Sequence, residues 1–222
     1  MSFENATTTI SYFSFLMKLF WQNSFIKGLI MRITGTEDLR IQKTMDAIDR
    51  AFGKLLLEKD YEQITATEVC REAKIGKKTF YTYYSSLDAL LQEKLAVMAG
   101  RYLERIAAYR VPEDIEAINR EFYVYSEEQG PLYERLVCSA PHRAIGSGLL
   151  LELVHRTWQS SAWLQSLTPE QQNVILAFVC ETGGSLYRHW VRTGKTMPMD
   201  TMIQLSGAIL RGGLDRFAAA CK

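Results

Sequence analysis

After residue 35 the hydrophobic positions recur with the period of an α-helix. Five apolar side chains are separated by steps of four, three, four and three: Ile41, Met45, Ile48, Phe52 and Leu55. This spacing puts them on one stripe of a helix, which we expect to run from about Glu37 to Glu58. Thr36 can cap its start, since threonine oxygens accept hydrogen bonds from the free amides of a first helical turn.

Three shorter patterns follow before residue 98. Thr65-Ala66-Thr67-Glu68 has the form of a capping box and predicts a helix through Ala73. The turn at 74–76 then leads into a helix from about Lys77 to Tyr84, with Phe80 and Tyr84 facing inward. Ser86 begins a fourth helix. Two short helices joined by a tight turn and resting on a longer helix form a helix-turn-helix.

The second half of the chain is also helical and lacks strand-like alternation. Thr168 is followed by Pro169 and Gln171, which together predict a strong helix start, and Gly194 fits the end of that helix. A last helix is predicted to end near Phe217. The chain is therefore predicted to be all-α, with a segment 1–35, a helix-turn-helix domain at 36–98 and a helical bundle at 99–222.

The chain as a whole is close to neutral, but one short segment of it is basic. The chain has 222 residues, 47% of them hydrophobic, and a net charge of +1, so we expect a globular protein that does not bind polyanions by bulk attraction. The window from Ala73 to Leu87 nevertheless contains three lysines and no acidic residue. One basic edge on a neutral body is predicted.

Little in the sequence favours a metal site, a disulfide or catalysis. Cys70, Cys138, Cys180 and Cys221 are far apart and form no CxxC pair, which is typical of reduced thiols in a cytosolic protein. Cys138, His142 and His155 do not have the spacing of a common metal site. Motifs of hydrolases, metalloproteases and phosphate-binding loops are missing, so neither a cofactor nor an enzyme activity is predicted.

The segment from Ile10 to Ile33 is hydrophobic but is interrupted by Lys18, Gln22, Asn23 and Lys27, which makes it a poor membrane span and a poor signal peptide. Three interpretations stay open. The segment is an additional helix, a weak surface anchor, or upstream sequence from a misassigned start, with Met31 as the true first residue. No membrane partner is predicted.

Residues 52–95 resemble the DNA-binding domain of the TetR (tetracycline-repressor) family of bacterial transcription regulators. The matching positions agree in both spacing and residue type: Asp60-Tyr61, Ile64-Thr65, Glu68-Val69-Cys70, Ala73, Ile75, Thr79-Phe80-Tyr81, Tyr83-Tyr84, Ser86, Asp88 and Leu90-Leu91. The chain departs from the family pattern in the turn, where Lys74 replaces a glycine that tolerates positive φ and Gly76 replaces a serine cap. Leu87 stands where a phosphate-binding lysine is common, and Lys74 is a candidate substitute.

The resemblance implies contacts with double-stranded DNA at a palindromic operator. Lys77, Lys78 and Thr82 would lie near base edges, where lysine can donate to guanine. The DNA backbone would be contacted by side-chain hydroxyl groups and by the lysine of the turn at 74–76: Thr65, Thr67, Lys74, Thr79, Tyr81 and Tyr83. The alternative to DNA contact is that the tyrosines only pack within the protein and that the lysines form a solvated face.

The resemblance also implies a homodimer formed by the last two helices, because one short helix contacts few base pairs. The residues proposed for close approach at that interface are Gly183, Gly184, Ile203, Gly207, Leu210 and Leu214. The alternative is that these residues form the domain's own core.

A small-molecule effector is expected to bind in the C-terminal domain, among aromatic and polar-tipped side chains: Tyr123, His155, Trp158, Trp163, Tyr187 and Trp190. The predicted function is that of a cytoplasmic, ligand-released repressor. An activator or nucleoid-associated protein controlled by a partner protein is the main alternative, and an enzyme with a fused helix-turn-helix is a third.

Overall fold

The computed structural model describes residues 36–138, 150–151, 153–155 and 157–221. These residues form helices and turns without a β-strand, which confirms the predicted all-α fold. The described residues do not include the hydrophobic segment Ile10–Ile33 or His142. The three interpretations of that segment therefore stay predictions. Within the described part of the chain, no helix has the length and apolar character needed to cross a membrane.

The described chain divides into two compact units. The first, here called the N-terminal unit, extends to Leu55 and includes Glu62–Ser85; the second, the C-terminal unit, comprises Leu56–Tyr61 and the residues from Ser86 on. The domain boundary at residue 98 expected from the sequence remains a prediction.

The N-terminal unit contains three α-helices, α1 (Thr36–Glu58), α2 (Ala66–Glu72) and α3 (Lys77–Tyr83), with a 3-10 turn (Tyr61–Gln63) between α1 and α2. The last three residues of α1, after Leu55, and Tyr61 at the start of the turn belong to the C-terminal unit. α2 begins at the predicted capping box: Thr65 Oγ1 accepts from the Glu68 amide at 3.3 Å, and Glu68 Oε2 accepts from the Thr65 amide at 3.0 Å. The buried apolar side chains of the N-terminal unit come from its three helices and from the residues just before α2 and just after α3: Ile48, Ala51, Phe52, Leu55, Ile64, Val69, Cys70, Phe80 and Tyr84.

The C-terminal unit is a helical bundle. Its helices are α4 (Leu87–Ile106), α5 (Ile115–Gln129), α6 (Pro131–Cys138), α7 (Ala162–Gln165), α8 (Pro169–Arg192) and α9 (Met199–Ala220). Residues 150–151, 153–155 and 157–158 are helical as well. α5 packs against α4, α6 and α9, and α8 packs against α6 and α9.

Local signals place both ends of α8 as the sequence predicts. Thr168 and Gln171 form a reciprocal capping box at its start, with Pro169 in the first turn. Gly194 follows the end of the helix with a φ of 71°, a conformation that glycine adopts without steric cost.

One polar contact determines which face of α9 is internal. Asn119 on α5 donates from Nδ2 to the Ile203 carbonyl at 3.2 Å and to Ser206 Oγ at 2.8 Å. Asn119 and Ser206 are buried, and buried polar groups stabilise a packing only when they are hydrogen-bonded. A Cβ on Gly207 would lie 3.5 Å from Glu116 Cγ, so the two helices approach closely here. The Ile203 side of α9 therefore faces α5.

Candidate nucleic-acid interface

Helix α3 is attached to its unit through two aromatic side chains. Phe80 is completely buried and Tyr84, which follows the last residue of α3, is 4% exposed, with their ring centroids 5.7 Å apart. The predicted inward orientation of both residues is confirmed. Because α3 has only seven residues, this attachment leaves one face of the helix directed at solvent.

The exposed face of α3 carries cations and hydroxyl groups. Lys77, Lys78, Tyr81 and Thr82 are exposed, while Thr79 and Tyr83 are half-buried. The Tyr81 ring packs edge-on against Phe80 with centroids 5.4 Å apart, which orients it although 53% of the residue is exposed. This arrangement combines donors suited to phosphate oxygens with lysines suited to guanine edges.

The hydroxyl of Thr82 is already used inside the helix. Its Oγ1 donates to the Lys78 carbonyl at 2.9 Å, so the side chain presents its methyl group and an acceptor oxygen outward. A threonine methyl suits contact with a thymine methyl better than donation to a phosphate. Sequence reasoning could not identify this bond, because the rotamer of an exposed threonine is not encoded by spacing.

The turn before α3 has the backbone that the resemblance implies. Lys74 has a φ of 56°, in the left-handed region where glycine is usual, which confirms the expected strain at a non-glycine residue. Gly76 occupies the N-cap with extended backbone and makes no side-chain cap bond. Lys74 is exposed, so the turn adds a third cation to the face of α3.

The start of α2 offers fewer free hydroxyl groups for contact with a DNA backbone than the sequence suggests. Thr65 and Thr67 are both exposed, but the Thr65 hydroxyl accepts from the Glu68 amide and also donates to Glu68 Oε2 at 3.0 Å. The carboxylate of Glu68 occupies the position that a phosphate oxygen would take at this cap. Of the two predicted threonines, Thr67 is therefore the better placed for a DNA backbone.

The residues predicted to bind a ligand fall into two groups. Tyr123, Tyr187 and Trp190 pack on one another in a buried aromatic cluster, with ring centroids 5.6–6.1 Å apart. Trp158 and Trp163 instead line a cleft of about 450 Å³, and Trp158 also lines a smaller, mainly apolar pocket of about 50 Å³. The half-buried His155 lines neither space.

The aromatic cluster is flanked by a half-buried ion network. Lys195 Nζ donates to both Glu127 oxygens at 2.9 and 2.8 Å and also to Glu134, and it lies 5.3 Å from the centre of the Trp190 ring. Tyr187 donates to Glu127 at 3.3 Å. These contacts join the loop after α8 to α5 and α6, which favours a structural role for this cluster.

Buried tyrosines make the C-terminal unit sensitive to alkali. Burial raises the pKa of Tyr133 from 10.0 to about 12, and burial together with Glu127 and Glu134 raises the pKa of Tyr187 as well. In the unfolded chain these phenols ionise near pH 10, so above that pH the unfolded state binds fewer protons than the folded state.

Ionisation of these two tyrosines should therefore leave the free energy of unfolding unchanged below pH 10 and reduce it between pH 10 and 12. The measurement is urea unfolding across this range, followed at 295 nm, where tyrosinate absorbs. Tyr133→Phe and Tyr187→Phe, which cannot ionise, should each reduce the alkaline loss. Equal losses in the wild type and both variants would contradict the assignment.

The residues predicted for the dimer interface lie inside the subunit. Ile203, Gly207, Leu210 and Leu214 are buried on the inner side of α9, and Gly183 and Gly184 line the smaller pocket. The outer side of α9 exposes Leu205 and Ile209, each about half exposed, with Ala208 and Gly212 beside them. Leu205 and Ile209, four positions apart, are not among the residues that the sequence singled out, and the interface itself remains a prediction.

Cysteine and metal chemistry is limited within the described residues. The four cysteines are free thiols. No group of three or more His, Cys, Asp or Glu side chains suited to a metal ion occurs in the described ranges.

Comparison with known proteins supports a regulator fold. No family model matches the chain. An uncharacterised HTH-type transcriptional regulator of Bacillus subtilis strain 168, YxbF, is 30% identical over 78 residues. That match covers 35% of this chain and only 20% of the relative.

Two solved structures share the overall fold. A TetR transcriptional regulator from Streptococcus agalactiae 2603V has a TM-score of 0.57 at 20% identity, covering 78% of this chain and 97% of that one. The fatty acid degradation regulator FadR from Bacillus halodurans has a TM-score of 0.51 at 15% identity, covering 82% and 98%. Together with the helix-turn-helix geometry, these likenesses establish that the chain has the fold of the TetR transcriptional regulators.

Proposed function

We propose that the protein is a dimeric, one-component transcription regulator that inserts α3 into the major groove of a palindromic operator. The observation that carries this proposal is the two-sided character of α3. Phe80 and Tyr84 fix the helix to its unit, while Lys77, Lys78 and Tyr81 are left exposed. A solvated basic face alone would not require an oriented aromatic ring among the lysines.

Dimerisation is part of the proposal because one α3 offers too few contacts for a specific site. A twofold dimer presents two copies to half-sites roughly 34 Å, or a multiple of that distance, apart. The exposed side chains of Leu205 and Ile209 on the outer side of α9 support an interface there, since apolar groups on neighbouring turns of a helix favour burial against a partner.

Control by a small molecule completes the proposal. An effector that prefers a conformation with wrongly spaced recognition helices would weaken DNA binding by its difference in affinity for the two states. The two adjoining pockets of the C-terminal unit, which share Ile106 and Trp158, support this part of the proposal. Repression in the cytoplasm, relieved by the effector, is the mode of action that we propose.

Replacing Lys77 with alanine tests the DNA face. Each dimer would lose two cations, and we expect operator affinity to fall by about tenfold or more, because contacts to base edges or phosphates contribute roughly 1–3 kcal/mol each. The measurement is fluorescence anisotropy with a labelled operator. Arg101→Ala, which removes an exposed cation from α4, is the matched control and should bind like the wild type.

The same titration repeated at several salt concentrations tests the phosphate contacts. Affinity should fall linearly on a double-logarithmic plot, because neutralised phosphates release counterions. Equal affinities for Lys77→Ala and the wild type, or binding that does not respond to salt, would count against the proposed face.

A further inference from the structure

Two exposed side chains of α3 lie most nearly opposite its buried side. Phe80 is the buried residue of this helix. At about 100° per residue, the positions two before and two after it lie roughly 160° away around the helix axis. These positions are Lys78 and Thr82, and both are exposed. When α3 enters a major groove with its outward face, these two side chains therefore lie deepest in it.

The hydroxyl group of Thr82 has one proton, and that proton is already in a hydrogen bond. Oγ1 donates to the Lys78 carbonyl at 2.9 Å, one helical turn earlier. While this bond is present, the hydroxyl group cannot donate to a phosphate oxygen or to guanine. The side chain then offers a base its methyl group and the remaining lone pairs of the oxygen.

This type of bond is ordinary for a threonine in a helix. Thr44 on α1 and Thr193 at the end of α8 also donate to the carbonyl four positions earlier, at 2.8 and 3.0 Å. A β-branched side chain has few allowed rotamers in a helix, and the bond selects one of them. What distinguishes Thr82 is its place opposite Phe80, where a side chain with a fixed rotamer would meet a base.

The methyl group of Thr82 matches one feature of the major groove. Thymine presents a C5-methyl group there, and the threonine methyl is among the side-chain groups that contact it. Such a contact needs no hydrogen-bond donor. The four exposed side chains of α3 are Lys77, Lys78, Tyr81 and Thr82, and among these four only Thr82 carries a methyl group.

We propose that Thr82 is a specificity-determining residue whose methyl group contacts the C5-methyl group of a thymine in each half-site of the operator. This rests on the proposed insertion of α3 into the major groove. Four residues of a helix span about 6 Å, and successive base pairs are about 3.4 Å apart. The thymine therefore lies within roughly two base-pair steps of the pair that Lys78 contacts.

Deoxyuridine tests this contact, because it lacks the C5-methyl group of thymidine and keeps the hydrogen-bonding groups of the base. The probes are the duplex that the full-length protein selects from a random DNA pool and versions of it with one thymine per half-site replaced by uracil. Fluorescence anisotropy measures the affinity for each duplex. At one thymine position the wild type should bind the uracil duplex about tenfold more weakly, because two methyl groups are no longer buried.

Two variants of Thr82 separate the methyl group from the hydroxyl group. Thr82→Ser keeps the hydroxyl group and should bind the thymine and uracil duplexes equally. Thr82→Val keeps a methyl group and should retain the wild-type ratio between the two affinities. Thr193→Ser makes the same change at an exposed threonine with the same type of bond, so this matched control should also retain the ratio. These exposed positions tolerate small changes, and circular dichroism checks that each variant is folded.

Three results would overturn the proposal: a wild type that no thymine-to-uracil change weakens, a Thr82→Ser variant that still distinguishes the two duplexes, or a Thr82→Val variant that does not. In the third case the oxygen, and not the methyl group, would select the base. Failure of the proposed function gives a different result. A protein that selects no duplex from the pool would end both proposals, whereas specific binding that ignores the methyl group would end only the role of Thr82.

Discussion

Replacing Phe80 with alanine is expected to destabilise the protein by about 3–5 kcal/mol and to abolish operator binding. Phe80 is fully buried and lies between two aromatic contacts, with Tyr81 at 5.4 Å and Tyr84 at 5.7 Å between ring centroids. Removing its ring leaves a cavity beneath α3, and a seven-residue helix is too short to persist without tertiary packing.

The adjacent residue supplies the matched control. Tyr81→Phe keeps the ring that packs on Phe80 and removes only an exposed hydroxyl, so stability should change by less than about 0.5 kcal/mol. Operator affinity should nevertheless fall by about tenfold or more, because a hydrogen bond to a charged phosphate contributes about 1.5–3 kcal/mol.

Circular dichroism during heating and anisotropy with operator DNA together distinguish the two variants. Loss of binding without loss of stability in Tyr81→Phe would support a surface role. A Tyr81→Phe variant that binds as well as the wild type would show that this hydroxyl does not contact DNA, and a stable Phe80→Ala variant would contradict the proposed attachment of α3.

Introducing glutamate at both Leu205 and Ile209 is expected to convert the proposed dimer to monomer. These side chains are 49% and 50% exposed on the outer side of α9, so the substitutions leave the buried Ile203 side intact. Four carboxylates would then face one another across the twofold axis, and burying unpaired charges is costly. Operator affinity should fall by about 10²–10⁴, the usual gain from two linked binding modules.

Sedimentation velocity measures the oligomeric state directly, and the operator titration measures its consequence. Val97→Glu is the control, since Val97 is a 40% exposed apolar residue on a different helix, α4. A double variant that remains dimeric and binds its operator normally would place the interface elsewhere.

Local signals account for the parts of the fold that the sequence predicts well. The capping boxes at Thr65 and Thr168 involve residues three positions apart, so their geometry is contained in a short segment. The positive φ of Lys74 is likewise a property of one turn. Burial of Phe80 follows from its place in a helical period, and none of these features depends on distant parts of the chain.

Long-range packing decides what the sequence does not predict. Both sides of α9 carry large apolar residues, and only the contact of Asn119 with Ile203 and Ser206, more than 80 positions away, shows which side is internal. Lys195 finds its partners Glu127 and Glu134 more than 60 positions earlier. The packing of Tyr123, Tyr187 and Trp190 on one another is likewise a long-range feature, and the ligand site expected among them remains a prediction.

The open space beside Gly183 illustrates the same limit. A helical glycine pair predicts close approach of another helix, yet only the positions of five separate segments show that Gly183 borders the smaller pocket. The mainly apolar lining of that pocket is a property of the assembled bundle.

Sequence-specific DNA binding is tested by selecting bound sequences from a random pool of double-stranded DNA with the purified protein. We expect enrichment of an inverted repeat whose half-sites are one helical turn, or a multiple of it, apart. The same selection with Lys77→Ala should give weaker enrichment. A pool that remains random after repeated rounds with folded wild-type protein would contradict the proposal that this chain is a sequence-specific DNA-binding regulator.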